Sequence, residues 1–228
     1  MTSSVQTYRT AEAINSAMAR VYGHMALAIV TSMLVSVFVG TNAALMAFFF
    51  TGVMKWVVIF APLAAIFAIS FALNANPPKG AAVAMLHGFA ALMGLSFASI
   101  FVVYNLGSIV NAFMGAAVLF VVMSTYGYFT KTSLDSLGKY LFVGLIAIII
   151  ASVINIFIGS TVFQMVISAV AILLFLALTA YDTQKIREML YDGSAGDAAE
   201  VSGALTLYLD FINLFLSLLQ LFGGKKDE

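Results

Sequence analysis

The sequence predicts an all-α integral membrane protein of seven transmembrane helices, with the last helix surrounded by the first six. Three observations carry this. Of 228 residues, 63% are hydrophobic and 9% are charged, where a soluble domain carries roughly 25% charged residues. Charge-free intervals run far beyond the length of one membrane span. The final apolar segment is hydrophobic around most of its circumference and carries one narrow polar stripe. The mean hydropathy of +1.07 makes lipid the solvent for most of the chain.

The same composition excludes several functions. Ten basic and ten acidic residues cancel, so there is no basic excess for a nucleic-acid partner. The chain has no cysteine and two histidines, which leaves no disulfide, no thiolate metal site and no multi-histidine site. No bound cofactor is predicted.

The spans follow from the charges. No charged residue occurs from Val21 to Met54, from Trp56 to Pro78, from Gly80 to Thr130 or from Tyr140 to Tyr181. About 20 apolar residues cross a bilayer, so the two long intervals each fold back once. Tyr104-Asn105-Leu106-Gly107-Ser108 breaks the first and Gly159-Ser160-Thr161 the second, both with turn-forming residues. The spans read 21–40, 54–73, 81–103, 109–129, 139–158, 162–182 and 201–222 within a single transmembrane domain, 1–228. The first is too long for a signal-peptide core of roughly 7–15 residues and is read as uncleaved. Asn74-Ala75-Asn76-Pro77-Pro78 stops the second span, because proline disfavours a helical residue before it. Ala43 to Phe50 is apolar and either lengthens the second helix or lies in the interface. Lys185 to Ser202 is the longest polar stretch and reads as a loop.

Orientation comes from lysine and arginine placement. Arg9, Arg20, Lys79, Lys131, Lys139, Lys185 and Arg187 fall on one side, against Lys55, Lys225 and Lys226 on the other. The seven-to-three bias places the N-terminus in the cytoplasm and the C-terminus outside. Trp56, Tyr126 and Tyr128 stand near span ends, as an aromatic belt requires.

Ten acidic residues are present, and eight read as tail or loop residues: Glu12, Asp135, Glu188, Asp192, Asp197, Glu200, Asp227 and Glu228. Asp182 and Asp210 remain. Asp182 is placed at the cytoplasmic end of span six and Asp210 near mid-bilayer, where an aspartate costs about 2.5–3.5 kcal/mol on insertion scales. Gly203, Thr206, Asp210, Asn213, Ser217 and Gln220 recur at intervals of three and four, which is one helical face. Thr206, Asn213, Ser217 and Gln220 are therefore candidate pore or cavity-lining residues around Asp210; interhelical packing is the competing reading for the hydroxyls. Spans six and seven are joined by a short connection and read as antiparallel neighbours, which brings Asp182 toward Asp210. Two carboxylates in a low-dielectric site cannot both ionise cheaply. Such a pair shares a proton, does acid–base work or holds a cation; calcium, which prefers oxygen ligands, suits it. His24 at the start of span one and His87 in span three read as packing or interfacial residues with a lesser claim to pH sensing. Asn111 and Asn155 read as interhelical hydrogen-bonding residues.

At these residues the sequence resembles the Bax inhibitor family, the transmembrane Bax inhibitor motif proteins, in a bacterial form. Ala180-Tyr181-Asp182-Thr183-Gln184 and Leu207-Tyr208-Leu209-Asp210-Phe211-Ile212-Asn213-Leu214-Phe215 are similar to its two strongest motifs. Thr130-Lys131-Thr132-Ser133-Leu134 and Gly94-Leu95-Ser96 look similar too. The resemblance covers spans three to seven well and the first two mainly by hydropathy. It implies a last helix wrapped by six others and a pH-sensitive, calcium-permeable leak in a bacterial inner membrane. It also implies a di-aspartyl gate, here Asp182 and Asp210, where calcium binds transiently. Some members carry a basic residue near the end of span two that pairs with the span-six aspartate. Phe71 to Asn76 contains none, leaving Asn74 and Lys79 as candidates for its place.

Two other classes share parts of this pattern. One is a non-enzymatic partner that regulates a membrane quality-control protease. The other is an intramembrane aspartyl protease, a class that also places a Tyr-Asp pair on the sixth helix and an aspartate on the seventh. That class needs glycines before the second aspartate, where this chain has Leu207, Tyr208 and Leu209. The lack of lysine in span seven argues against a retinal protein.

Overall fold

The computed structural model describes residues 10–191 and 198–226. Arg9, Asp192, Asp197, Asp227 and Glu228 lie outside them. Nine helices are formed among the described residues: α1 (Ala11–Gly40), α2 (Ala43–Phe50), α3 (Met54–Asn74), α4 (Lys79–Phe97), α5 (Ile100–Val103), α6 (Leu106–Phe129), α7 (Asp135–Ile158), α8 (Thr161–Tyr191) and α9 (Ala199–Phe222). Counting α4 and α5 as one span, seven are long and apolar enough to cross a membrane. Leu34, Phe67, Phe71, Phe157 and Leu173 are exposed, a surface suited to lipid rather than water.

Polar side chains set several helix ends. Thr10 accepts a hydrogen bond from the Ala13 amide at 3.3 Å. The Asn42 side chain accepts from Ala44 and Leu45 at 3.0 and 3.1 Å, and Asn105 accepts from Ser108 at 2.8 Å. Each satisfies amides that the first turn leaves unpaired. Gly159 closes α7 at φ 67°, the left-handed conformation that glycine adopts without a Cβ clash.

The boundaries correct the sequence reading in four places. The first helix begins at residue 11 rather than 21, so His24 lies well inside it. Residues 43–50 form a separate helix. The third span is interrupted at Ala98–Ser99. The sixth continues through Lys185, Arg187 and Glu188 to Tyr191, so Asp182 is not at its end. Glu12, Asp135, Glu188 and Glu200 are likewise helical rather than in tails or loops. Hydropathy marks where a chain leaves lipid, whereas helical hydrogen bonding continues beyond that point. Helix therefore continues through charged residues beyond the apolar runs of α1 and α8.

The chain divides into two compact units, Met1–Val103 with Ile186–Tyr208 and Tyr104–Lys185 with Leu209–Glu228. In the first, α1 packs on α4, and α3 on α4. A β-carbon at Gly94 would overlap the Ser32 backbone, so the glycine permits the close helix approach typical of membrane interfaces. Ser32 Oγ donates to the Ala90 carbonyl at 2.7 Å and lies 2.6 Å from the hydroxyl of Tyr208, a fully buried residue. Arg20 and Lys79 both engage Glu200, at 2.6 and 2.8 Å. Lys79 is thus committed to Glu200, and Asn74 is exposed.

In the second unit, a β-carbon at Gly127 would overlap the Ala180 carbonyl, which brings α6 and α8 together. Phe113 and Phe120 meet Phe211 edge to face at 5.3 and 5.8 Å. After α9 the chain pairs back onto the start of α6: the Asn105 amide donates to the Gly224 carbonyl at 3.2 Å. The apolar window of α9 is 61% buried, where no other span exceeds 33%.

Candidate functional site: a carboxyl pair on α8 and α9

Asp182 and Asp210 both belong to the second unit. Their carboxyls lie close enough to act directly on each other. Ionised carboxylates only accept hydrogen bonds, so two of them meet favourably only when one carries a proton. Asp210 is 4% exposed. Among the described residues, its Oδ2 is the buried side-chain oxygen without a hydrogen-bond partner. A buried acceptor that no protein donor reaches costs about 1–3 kcal/mol unless it binds a proton, a water or a cation. A pair of this kind can release its proton, or exchange it for a cation that accepts oxygen ligands. Among the described residues no group of three or more His, Asp or Glu side chains is gathered at one point. A cation here would need backbone carbonyls or water to complete its shell.

The rest of the polar stripe is satisfied differently. Thr206, Asn213 and Ser217 each donate to the carbonyl four residues earlier, those of Ser202, Leu209 and Asn213, at 3.2, 2.8 and 2.7 Å. Gln220 instead accepts from Gln164 at 2.7 Å and from Ser168 at 3.1 Å on α8. Ser202, Thr206, Leu209, Asn213 and Leu216 are half-buried, and Gln220 is exposed. The least covered face of α9 therefore mixes stripe residues with leucines, and Asp210 sits off it. Asn155 donates to Gln164 across the α7–α8 turn at 2.9 Å, the interhelical role read from sequence. His87 Nδ1 lies 2.8 Å from the Thr31 hydroxyl.

Sequence reasoning missed the contacts that immobilise α8 around Asp182. The Thr183 hydroxyl is 3.0 Å from that of Ser124 on α6. The Gln184 carboxamide accepts from the Leu134 amide at 2.8 Å and donates to the Thr132 carbonyl at 3.0 Å. Lys185 pairs with Asp135. Gln184 follows the aspartate by two positions, and that proximity was the signal available in the sequence.

Residues 14–227 match the family model described as inhibitor of apoptosis-promoting Bax1. The chain belongs to the Bax inhibitor family. It is 37% identical over 215 residues to the inner membrane protein YbhL of Escherichia coli K12, covering 92% of each chain. It is also 37% identical over 221 residues to an uncharacterized protein of Borreliella burgdorferi, covering 94% of each. An uncharacterized membrane protein of Streptococcus pyogenes serotype M3 is 40% identical over 160 residues, 69% of each chain. The protein is thus a Bax inhibitor family membrane protein with bacterial relatives, in keeping with the resemblance seen at Asp182 and Asp210.

Proposed function

We propose that the protein is a passive, proton-regulated, calcium-permeable leak of a bacterial inner membrane, with Asp182 and Asp210 as its gate. The observation that carries this reading is the close approach of the two carboxyls, with a buried Asp210 oxygen that no protein donor reaches. One proton holds the pair together. Losing it places two like charges side by side in a dry site, which drives them apart or recruits a cation. Thr206, Asn213, Ser217 and Gln220 line the path in this reading, and α9 is the helix the others enclose. The 61% burial of its apolar window supports that placement.

The inner membrane is suggested by the name of the Escherichia coli relative. The lysine and arginine bias favours a cytoplasmic N-terminus and an outside C-terminus. Calcium is substrate rather than resident cofactor, and no bond of a substrate is broken. The bulky residues at 207–209 disfavour the aspartyl protease reading, because Tyr208 is fully buried where that chemistry needs open backbone.

The test is calcium flux from proteoliposomes of the purified chain, followed against pH. Asp182→Asn and Asp210→Asn are expected to flatten the pH profile. Unchanged flux and unchanged pH dependence in both variants overturn the gate. Absence of flux in the parent chain, with a membrane protease co-purifying, selects the regulatory-partner reading instead.

A further inference from the structure

Asp182 is framed by four side chains tied to the α6–α7 hairpin, all within the second unit. A β-carbon at Gly138 would lie 2.5 Å from the Tyr181 hydroxyl, so the Tyr181 ring occupies the space that glycine leaves on α7. Thr183 meets Ser124 on α6, and Lys185 pairs with Asp135 at the start of α7. Gln184, 3% exposed, bridges the connection itself: one side chain meets an amide at Leu134 and a carbonyl at Thr132. A carboxamide alone among uncharged side chains offers an acceptor and two donors in one plane. Here it completes backbone hydrogen bonding where the chain between α6 and α7 has no helix to do so.

We propose that Gln184 and the Thr132–Leu134 segment form a positioning clamp that sets Asp182 against Asp210. The connection between α6 and α7 is then a control point for the carboxyl pair. Gln184 touches neither the shared proton nor a permeant ion; it is a positioning residue. Residues 181, 183, 184 and 185 are held from α6, α7 and their connection, which leaves Asp182 with its side chain directed to α9. A shift of the connection moves α8 at Asp182 and changes the geometry of the acid pair. This inference rests on the proposed role of Asp182 and Asp210 as a gate.

Gln184→Glu supplies a built-in control. The protonated acid has the shape of the amide: its hydroxyl can donate to the Thr132 carbonyl and its carbonyl can accept from Leu134. The ionised acid has no donor and faces the Thr132 oxygen with a charge. The charged or titratable neighbours of the clamp in this unit are Asp182, Asp210, Tyr181, Lys131 and the Lys185–Asp135 pair. Gln184→Ala removes both hydrogen bonds at every pH.

The experiment measures calcium flux in proteoliposomes and the infrared carboxyl stretch of the aspartate pair, both against pH. Asp182→Asn and Asp210→Asn identify the band. Gln184→Ala is expected to displace the band's titration midpoint by roughly tenfold in proton concentration and to move the flux profile with it. Gln184→Glu is expected to match the parent in acid and to diverge as pH rises. If both Gln184 variants purify folded and leave band and flux as in the parent, the clamp is overturned. If Gln184→Ala does not fold, the pH-dependent divergence of Gln184→Glu decides alone. If the parent shows no flux but the band moves in the Gln184 variants, the gate reading fails and the clamp stands.

Discussion

Arg20 and Glu200, 180 positions apart, are joined by three contacts: Arg20 Nε to both carboxylate oxygens at 3.0 and 2.9 Å, and the terminal nitrogen to Oε1 at 2.6 Å. Lys79 adds a fourth at 2.8 Å. Glu200 thereby links α1 and α4 to the first turn of α9 within the first unit. The Arg20 and Lys79 side chains are nearly half exposed, whereas that of Glu200 is 12% exposed. Exposed pairs contribute about 0–1 kcal/mol and forked arginine–carboxylate geometry favours the upper end. Glu200→Gln is therefore expected to lower the melting temperature in detergent by about 2–4 °C, the shift that ~1 kcal/mol produces in a chain of this size. Lys79→Ala is expected to cost less. An unchanged melting curve for Glu200→Gln would remove the cluster as a stabilising feature.

Tyr208 is fully buried, and its hydroxyl meets Ser32 at 2.6 Å. Since Ser32 donates to the Ala90 carbonyl, the tyrosine is the donor in this bond. Tyr208→Phe deletes that donor but leaves Ser32 its own acceptor. The expected loss is about 1 kcal/mol, read as chemical denaturation of the purified protein. Ser32→Ala leaves the buried phenol unpaired and is expected to be the more damaging of the two.

The glycines separate by what surrounds them. Gly94→Ala and Gly127→Ala each place a methyl into the backbone of a neighbouring helix, at Ser32 and Ala180. Overpacking of this kind costs about 1–3 kcal/mol or more, and both variants are expected to give reduced yield of monodisperse protein. Gly88 has nothing within 4 Å of an added β-carbon. Gly88→Ala should be tolerated on size-exclusion chromatography, and equal loss in all three variants would refute the packing argument.

The proposed gate makes a linkage prediction. A cation on Asp182 and Asp210 requires their oxygens free of the bridging proton. Calcium binding should therefore release protons, and its apparent affinity should weaken as pH falls. Calcium added to lightly buffered protein is expected to acidify the solution, and Asp210→Asn is expected to abolish the effect. Proton release that persists in this variant would place the calcium elsewhere.

The helices were legible wherever an apolar run had a sharp edge. Asn74 ends α3 before the prolines, and Gly159 ends α7 in the left-handed conformation. The ends of α1 and α8 lie beyond the apolar runs because helix continues through Arg20 and through Lys185 to Glu188. At Arg20 the partner is Glu200 and at Lys185 it is Asp135, residues too distant in sequence for hydropathy to connect. The stripe around Asp210 was visible as a period, yet a period does not say which hydroxyl bonds to its own helix. Thr206 and Ser217 do.

By itself the sequence determined the number of spans, the family and the two acids that are costly to keep in lipid. These follow from composition, run length and local motif, which need no partner to be defined. Only the tertiary structure decided that Asp182 and Asp210 meet and that no protein donor reaches one Asp210 oxygen. It also decided that Gln184 closes the α6–α7 connection, 52 and 50 positions from the groups it holds. Hydrogen bonds of this kind depend on distance and direction between helices, and no periodicity along one chain segment encodes either.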